Sequence, residues 1–116
     1  LLDSISKKIK VVEDIRKKLN LSNVITINDR VENHDLKYDF VISRAVSKMD
    51  KIYSMVKNNI KSKSINSMPN GMISLKGGDL ESELKQFNNF KVFEISKFFS
   101  EDFFQTKKIV YIPFSN

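Results

Sequence analysis

The sequence predicts an α/β domain in which short buried strands alternate with amphipathic helices and the chain closes in an antiparallel strand pair. Two segments, one near the start and one after position 48, repeat apolar residues every three or four positions, which is helical spacing. Short apolar runs rich in β-branched residues lie between them and are typical of buried parallel strands. Two strand-like runs end the chain, and the short connection between them favours antiparallel pairing.

The first element is the end of a strand, Leu1 to Asp3, which leads directly into a helix. The helix has one apolar face, formed by Ile5, Ile9, Val12, Ile15 and Leu19. Asn20 is expected at the helix C-terminus, where Asn tolerates a left-handed backbone. The β-branched run from Val24 to Ile27 then predicts an interior parallel strand.

A polar loop from Asn28 to Lys37 precedes the next strand, Tyr38 to Ser43. Helical spacing predicts a second helix, and its apolar residues are Met49, Ile52, Val56 and Ile60. A linker rich in Lys, Ser and Asn runs from Lys61 to Asn70, and Gly71 closes it. This linker is too short to separate two cores, so the sequence predicts no domain boundary.

Met72 to Lys76 predicts a further strand, which ends at Gly77 and Gly78. Asp79 is expected to cap a short helix, whose apolar residues are Leu80, Leu84 and Phe87. The closing antiparallel pair is predicted at one edge of the sheet, and its strands are Phe90 to Ile95 and Lys107 to Phe114. Pro113 fits the end of an edge strand, where the missing N–H donor costs little.

Composition limits the class of protein. With 116 residues, 41% of them hydrophobic, the chain can bury a core as one domain. A net charge of +6 favours a polyanionic partner such as nucleic acid or an acidic membrane, although it also serves solubility. The sequence contains no Cys, which excludes disulfides and Cys-based metal sites and favours a reducing, cytoplasmic compartment. No apolar run approaches the roughly 20 residues of a membrane-spanning helix.

Asp3 is the first candidate site residue, because it follows a strand and precedes a helix. In doubly wound sheets an acid at the end of the second strand typically accepts hydrogen bonds from the ribose hydroxyls of a nucleotide. The structural alternative is that Asp3 caps the helix, a role for which Ser4 competes.

Four motifs in fixed order narrow the class. They are Asp3-Ser4-Ile5-Ser6-Lys7-Lys8, Asn28-Asp29-Arg30-Val31-Glu32, the run from Tyr38 to Val46 that contains Ser43-Arg44-Ala45, and Leu75-Lys76-Gly77-Gly78. In order and spacing they resemble the RsmG (GidB) family, S-adenosylmethionine-dependent methyltransferases of small-subunit ribosomal RNA. The closing segment from Phe99 to Tyr111 is similar to one branch of that family.

The resemblance implies a Rossmann-like class I methyltransferase sheet, mostly parallel, of which residues 1–116 are the C-terminal part of a single domain. The family's N-terminal Gly-rich motif is not in the sequence. The implied reaction transfers a methyl group from S-adenosylmethionine to guanine N7 of small-subunit rRNA, in the cytoplasm, by an enzyme that is a monomer at full length and needs neither metal nor membrane. Guanine N7 carries no proton, so no general base is nominated, and His34 is expected to be a surface residue.

The resemblance also implies the cofactor-binding residues Asp3, Ser4, Val31, Glu32 and Arg44. Asp3 would bind the ribose, while Val31 and Glu32 would flank the adenine, with Val31 standing where the family has Ala. Arg44 would hold an anion at the reaction site, either the methionine carboxylate or an RNA phosphate. The structural alternative for Arg44 is an ion pair with Asp39 or Glu32.

The predicted RNA contacts are Lys7, Lys8 and Lys76, with solvated lysines as the alternative. Lys7 and Lys8 fall in the first turn of a helix, where the helix dipole disfavours cations. A basic linker is a further candidate, with Lys57, Lys61 and Lys63. Four phenylalanines near the end are expected in the core rather than stacked on RNA bases, namely Phe98, Phe99, Phe103 and Phe104.

Two other functions remain open. The chain could be a non-catalytic RNA-binding or ribosome-associated α/β module, or a fragment of a dinucleotide-dependent oxidoreductase, which also places an acid after its second strand. The oxidoreductase does not account for the Ser43-Arg44-Ala45 step. On the methyltransferase reading, the 116-residue chain alone is expected to bind S-adenosylmethionine poorly and to fold poorly as a monomer.

Overall fold

A computed structural model describes residues 1–44 and 47–114. The chain divides into two compact units, Leu1–Asp35 and Leu36–Asn116. The mixed α/β architecture expected from the sequence is confirmed, with parallel strand pairs and an antiparallel C-terminal hairpin. The strands form two sheets, one of two strands and one of four.

The first unit contains strand β1 (Leu2–Asp3), helix α1 (Ser6–Lys18) and strand β2 (Ile27–Asn28). The two strands pair in parallel, with Leu2 opposite Ile27 and Asp3 opposite Asn28. Only Ile27 of the predicted strand from Val24 to Ile27 belongs to β2, so that prediction was too long toward the N-terminus.

Asn20 ends α1 as predicted. Its φ is 54°, and its N–H donates to Lys17 O while Leu21 N–H donates to Arg16 O. These two bonds satisfy carbonyls of the last helical turn in the manner of a Schellman motif. Asn is one of the few non-glycine residues that tolerate this backbone conformation.

The second unit contains a four-stranded sheet in the order β3-β4-β6-β5. Its elements are β3 (Phe40–Arg44), α2 (Met49–Val56), β4 (Gly71–Gly77), α3 (Glu81–Leu84), β5 (Lys91–Glu94) and β6 (Lys107–Pro113). β3 and β4 are parallel, and β6 runs antiparallel to both β4 and β5. Pro113 therefore ends an internal strand and not an edge strand. The ladder with β5 stops at Tyr111, so no β5 partner faces the proline.

The core of this unit lies between the sheet and the two short helices. The helical spacing predicted for Met49, Ile52 and Val56 is confirmed, since all three are buried on α2. Ile60 continues the same spacing but lies outside the helix, because a 3-10 turn at Lys57–Asn59 intervenes and Ile60 bridges to Tyr38. Buried partners come from the sheet, from α3 and from its N-cap residue Leu80, and include Met72, Leu84, Val110 and Ile112.

The linker before β4 is organised by Asn70, which is fully buried. Its amide nitrogen donates to the carbonyls of Lys61 and Lys63, each at 2.9 Å. Its backbone N–H donates to Ser64 Oγ at 2.8 Å, and its carbonyl accepts the N–H of Phe114. One buried amide thus folds a polar segment that has little apolar content of its own.

Candidate functional site

In the first unit, Asp3 is the last residue of β1 and only partly exposed. Its Oδ1 accepts the N–H of Ile5 at 2.9 Å, while its carbonyl accepts Asn28 Nδ2 and the N–H of Asp29, each at 3.1 Å. The N-cap residue of α1 is Ile5, so neither Asp3 nor Ser4 occupies the cap position itself. Asp3 instead ties the strand end to the helix entry through one carboxylate oxygen. Within the described residues its Oδ2 has no hydrogen-bond partner.

Val31 and Glu32 follow β2 in a short 3-10 turn, Val31–Asn33. Val31 O accepts the N–H of His34 at 3.1 Å, whereas the N–H of Val31 finds no acceptor among the residues that the structure describes. Glu32 is exposed. Because β1 and β2 are parallel, their carboxyl ends share one edge, and the unit brings Asp3 and the Val31 turn to that edge.

Three other predicted residues of this unit lie at the start of α1. Ser4 is exposed and precedes the helix. Lys7 and Lys8 are exposed in the first turn, which contains no acidic residue. Both cations therefore lie where the helix dipole disfavours them, and both ammonium groups are accessible to a polyanion.

In the second unit, Arg44 is the last residue of β3 and is exposed. The preceding residue fixes the strand end, because Ser43 Oγ and the buried Ser74 Oγ of β4 are hydrogen-bonded at 2.7 Å. Asp39, one suggested partner of Arg44, is instead 3.4 Å from Lys61 Nζ. Across residues 1–44 and 47–114, Arg44 forms no ion pair. Ala45 and Val46 of the motif lie outside the described residues.

Lys76 was predicted to contact RNA, but the structure buries it. Its side chain is only 6% exposed, and its Nζ lies 2.8 Å from both Glu83 Oε2 and Ser47 O. Glu83 Oε2 also accepts the N–H of Met49 at 3.3 Å. This ammonium is engaged inside the unit, where it joins β4 to α3 and to the start of α2, and its placement does not support RNA binding. Alternation along β4 turns Lys76 to the buried face, which the motif alone did not show.

Gly77 ends β4 and Gly78 follows it, at the same end of the sheet as Arg44, because β3 and β4 are parallel. Gly78 has φ 73°, the left-handed conformation that favours glycine. Its N–H donates to Thr106 O at 3.0 Å and its carbonyl accepts Lys108 Nζ at 3.2 Å. The turn is therefore fastened to the start of β6.

The expectation that the four phenylalanines near the C-terminus form core is wrong for three of them. Phe98 is 74% exposed, Phe99 54% and Phe103 68%. Their segment, residues 95–106, connects β5 to β6 and is called the aromatic loop below. Clustering of aromatic residues in sequence does not reveal whether a sheet face is near enough to cover them.

The chain is similar to known proteins over almost its whole length. A family model described as rRNA small subunit methyltransferase G matches residues 1–109. The chain belongs to this family. The matched range contains all four motifs, the Val31 turn, Arg44 and the aromatic loop.

Individual relatives agree with the family match. Proteins named ribosomal RNA small subunit methyltransferase G are 50% identical in Christiangramia forsetii and 44% identical in Flavobacterium psychrophilum, each over 113 residues. The relative of that name in Parabacteroides distasonis is 43% identical over 114 residues. Each match covers 97% of this chain but only 50–54% of the relative. The chain therefore spans about half the length of these curated relatives.

No group of three or more His, Cys, Asp or Glu side chains that could hold a metal ion occurs within the described residues. Over the same residues, none of the helices has the length and apolar character needed to cross a bilayer.

Proposed function

We propose that this chain is the C-terminal part of a single methyltransferase domain in a cytoplasmic enzyme that methylates guanine N7 of small-subunit rRNA, with S-adenosylmethionine as methyl donor. Membership of the rRNA small subunit methyltransferase G family carries the proposal. The structure supports it because Asp3, the Val31 turn, Arg44 and Gly77-Gly78 all stand at carboxyl ends of parallel strands, where such sheets bind ligands.

The described residues fit the adenosine end of S-adenosylmethionine. Asp3 retains an oxygen without a partner in the described part of the chain, and a carboxylate suits the adjacent hydroxyls of a ribose. The N–H of Val31 is a main-chain donor, and its role does not depend on the Val side chain that replaces the family's Ala. Glu32, beside it, would flank the same base, and Ser4 would contact the ribose side. When bound, the cofactor supplies an electrophilic methyl group on a sulfonium.

The reaction makes modest demands on side chains. Guanine N7 presents an in-plane lone pair without a proton, so methyl transfer depends on alignment and electrostatics and needs no general base. Arg44 is positioned for this purpose, because its strand end is fixed by the Ser43–Ser74 hydrogen bond and its guanidinium has no ion pair among the described residues. We assign it to an anion, either an RNA phosphate or the carboxylate of the cofactor.

Methyl transfer to small ribosomal subunits by the complete protein, as its gene encodes it, tests this role. Arg44→Ala should lower kcat/KM about 10- to 100-fold, because a hydrogen bond to a charged group is worth about 1.5–3 kcal/mol. Arg44→Lys should recover only part of the loss, since Lys lacks the bidentate geometry. Lys51→Ala, which removes an exposed cation on α2, is the matched control and should retain full activity.

The two KM values identify the anion. A rise in the KM for S-adenosylmethionine places the cofactor carboxylate on Arg44, and a rise in the KM for the ribosomal subunit places an RNA phosphate there. Undiminished activity of Arg44→Ala would refute the role. Absence of methyl transfer by the unsubstituted protein would refute the proposed function as a whole.

A further inference from the structure

The aromatic loop exposes large apolar side chains that neither the fold nor the proposed chemistry uses. Three of the rings are in contact, because the Phe104 ring lies 5.3 Å from that of Phe99 and 5.2 Å from that of Phe103 between centroids. Phe98 is the most exposed of the four, at 74%. Contiguous exposed apolar surface of this kind usually marks a binding site.

The loop is structured. The N–H groups of Phe98 and Phe99 donate to Ile95 O at 2.9 and 3.0 Å, in a 3-10 turn at Ile95–Lys97. A second turn, Asp102–Phe104, is closed by the N–H of Phe104 on Glu101 O at 2.9 Å. The rings are therefore presented from an ordered backbone, which lowers the entropy cost of binding.

The loop lies at the end of the sheet that carries Arg44, the residue proposed to bind an anion at the reaction site. β6 is antiparallel to both β4 and β5, so β5 runs in the same direction as β4 and β3. The connection after β5 consequently leaves the sheet at the edge where β3 ends at Arg44 and β4 ends at Gly77. The hydrogen bond from Gly78 N–H to Thr106 O joins the loop to that edge directly.

Cations accompany the rings. Lys107 Nζ lies 5.0 Å from the centroid of the Phe103 ring, within the range of a cation–π contact. Lys97, at 73% exposed, and Lys108 border a small cleft with Phe98. Glu94 Oε2 lies 4.0 Å from Lys97 Nζ and offsets part of this charge, and the loop also contains the exposed acids Glu101 and Asp102. Aromatic faces next to ammonium groups match a base and its phosphate, as in proteins that bind single-stranded nucleic acid.

We propose that the aromatic loop binds an unpaired segment of small-subunit rRNA, with a base stacked on Phe103 and the adjoining phosphate near Lys107. Phe98 provides a second stacking surface. The inference rests on the proposed function for the identity of the RNA, and it adds the surface that holds the strand beside the reaction site. A second copy of the chain or another part of the full-length protein would be the competing occupant of the same surface.

The test measures binding of the complete protein to an rRNA hairpin with an unpaired loop, and to a fully paired duplex of the same length, by fluorescence anisotropy. Phe103→Ala and Phe103→Leu should each weaken hairpin binding about 5- to 100-fold, as loss of one stacked base does. Phe103→Tyr, which keeps the stacking face, should bind within twofold of the unsubstituted protein. Leu36→Ala is the matched control, because Leu36 is 61% exposed and lies outside both the aromatic loop and the basic linker, and it should leave binding unchanged.

Three outcomes would overturn the inference: equal binding by all variants, equal losses on hairpin and duplex, or recovery of binding by Phe103→Leu together with a lowered Tm of Phe103→Ala. The last pattern would show that the ring packs against protein, and sedimentation of the variants would distinguish a second copy from an intramolecular contact. The readout is independent of methyl transfer. The protein could bind the hairpin through Phe103 and yet lack methyltransferase activity. That result would refute the proposed function but would still support the RNA-binding surface.

Discussion

At the scale of single residues, Glu13 shows how a side chain outside the predicted site can hold a unit together. Its carboxylate accepts Arg16 Nη2 at 2.6 Å, Arg16 Nε at 2.9 Å and Thr26 Oγ1 at 2.6 Å. The contact with Thr26 ties α1 to the segment that enters β2. Hydrogen bonds from Arg16 and then Thr26 lower the pKa of Glu13 from 4.5 to about 2.

The lowered pKa predicts a loss of stability in acid. Because the folded state favours the ionised carboxylate, Glu13 stabilises the protein above pH 4.5, and this contribution disappears as the pH falls from 4.5 toward about 2. Glu13→Gln should be less stable than the unsubstituted protein at pH 7 and equal to it near pH 2. Thermal unfolding followed across this range gives the comparison, and NMR titration of the carboxyl carbon gives the pKa.

Asp14→Asn provides the control for Glu13. Asp14 pairs with Lys18 at 3.0 Å on the exposed side of the same helix, with side chains 62% and 73% exposed. Its removal should change stability by less than about 0.5 kcal/mol at neutral pH, as is usual for exposed helical pairs. The acid-dependent loss due to Glu13 should persist in this variant. A Glu13 titration midpoint near 4.5 would contradict the assignment.

Among the candidate site residues, prediction from the sequence was correct where the course of the backbone alone decides where a residue lies. Asp3 and Arg44 were placed at strand ends, and they are the last residues of β1 and β3. It failed where tertiary packing decides the direction of a side chain. Lys76 is turned inward onto Glu83, and Phe103 is left outward although it is apolar. Neither outcome follows from residue type or local spacing.

At the scale of elements, two glycines of β4 and its turn have different physical reasons to be glycine. A Cβ at Gly71 would lie 2.3 Å from Ile112 O and 2.9 Å from Pro113 Cα, both main-chain atoms of the neighbouring β6. A Cβ at Gly78 would meet nothing within 4 Å, but its φ of 73° is strained for other residues. Close approach of two strands explains the first glycine, and backbone conformation explains the second.

The two positions therefore predict unequal effects of the same substitution. Gly78→Ala should lower the free energy of unfolding by about 1–2 kcal/mol, because a residue with a side chain is strained in the left-handed conformation. Gly71→Ala should cost more, about 3 kcal/mol or above, because the β4–β6 ladder must separate to admit the methyl group. Urea unfolding of both variants provides the comparison. Equal losses, or a larger loss for Gly78→Ala, would mean that the close approach at Gly71 relaxes at little cost.

Element type was more predictable than element length. Helical spacing placed Met49, Ile52 and Val56 on one buried face, yet Ile60 pairs with Tyr38 because the chain tightens into a 3-10 turn first. The run from Val24 to Ile27 has strand composition, but only its last residue pairs. Pairing depends on where the partner strand lies, and propensity contains no information about that.

At the scale of the whole molecule, the two units differ in how much they bury. Not one described residue of Leu1–Asp35 is buried, and Val11, Leu19 and Ile25 are 60%, 62% and 74% exposed. The second unit holds a core in which Met49, Met72 and Val110 are fully buried. A segment below about 40 residues generally needs a disulfide, a metal or an additional packing surface to be stable, and the chain has no Cys. The apolar face of α1 therefore lacks the burial that would stabilise it.

This contrast predicts the order of opening in the 116-residue chain. Hydrogen exchange followed by mass spectrometry should show α1 amides exchanging at least about 100-fold faster than those of β4 and β6, because local stability follows burial. Peptides from β4 and β6 serve as internal references in the same sample, and the complete protein serves as the second sample. If further sequence covers α1, its amides should gain protection there while β4 and β6 change little. Equal protection of α1 and β4 in the 116-residue chain would instead show that the first unit is stable without further burial. The expectation that this chain folds poorly as a monomer would then be wrong.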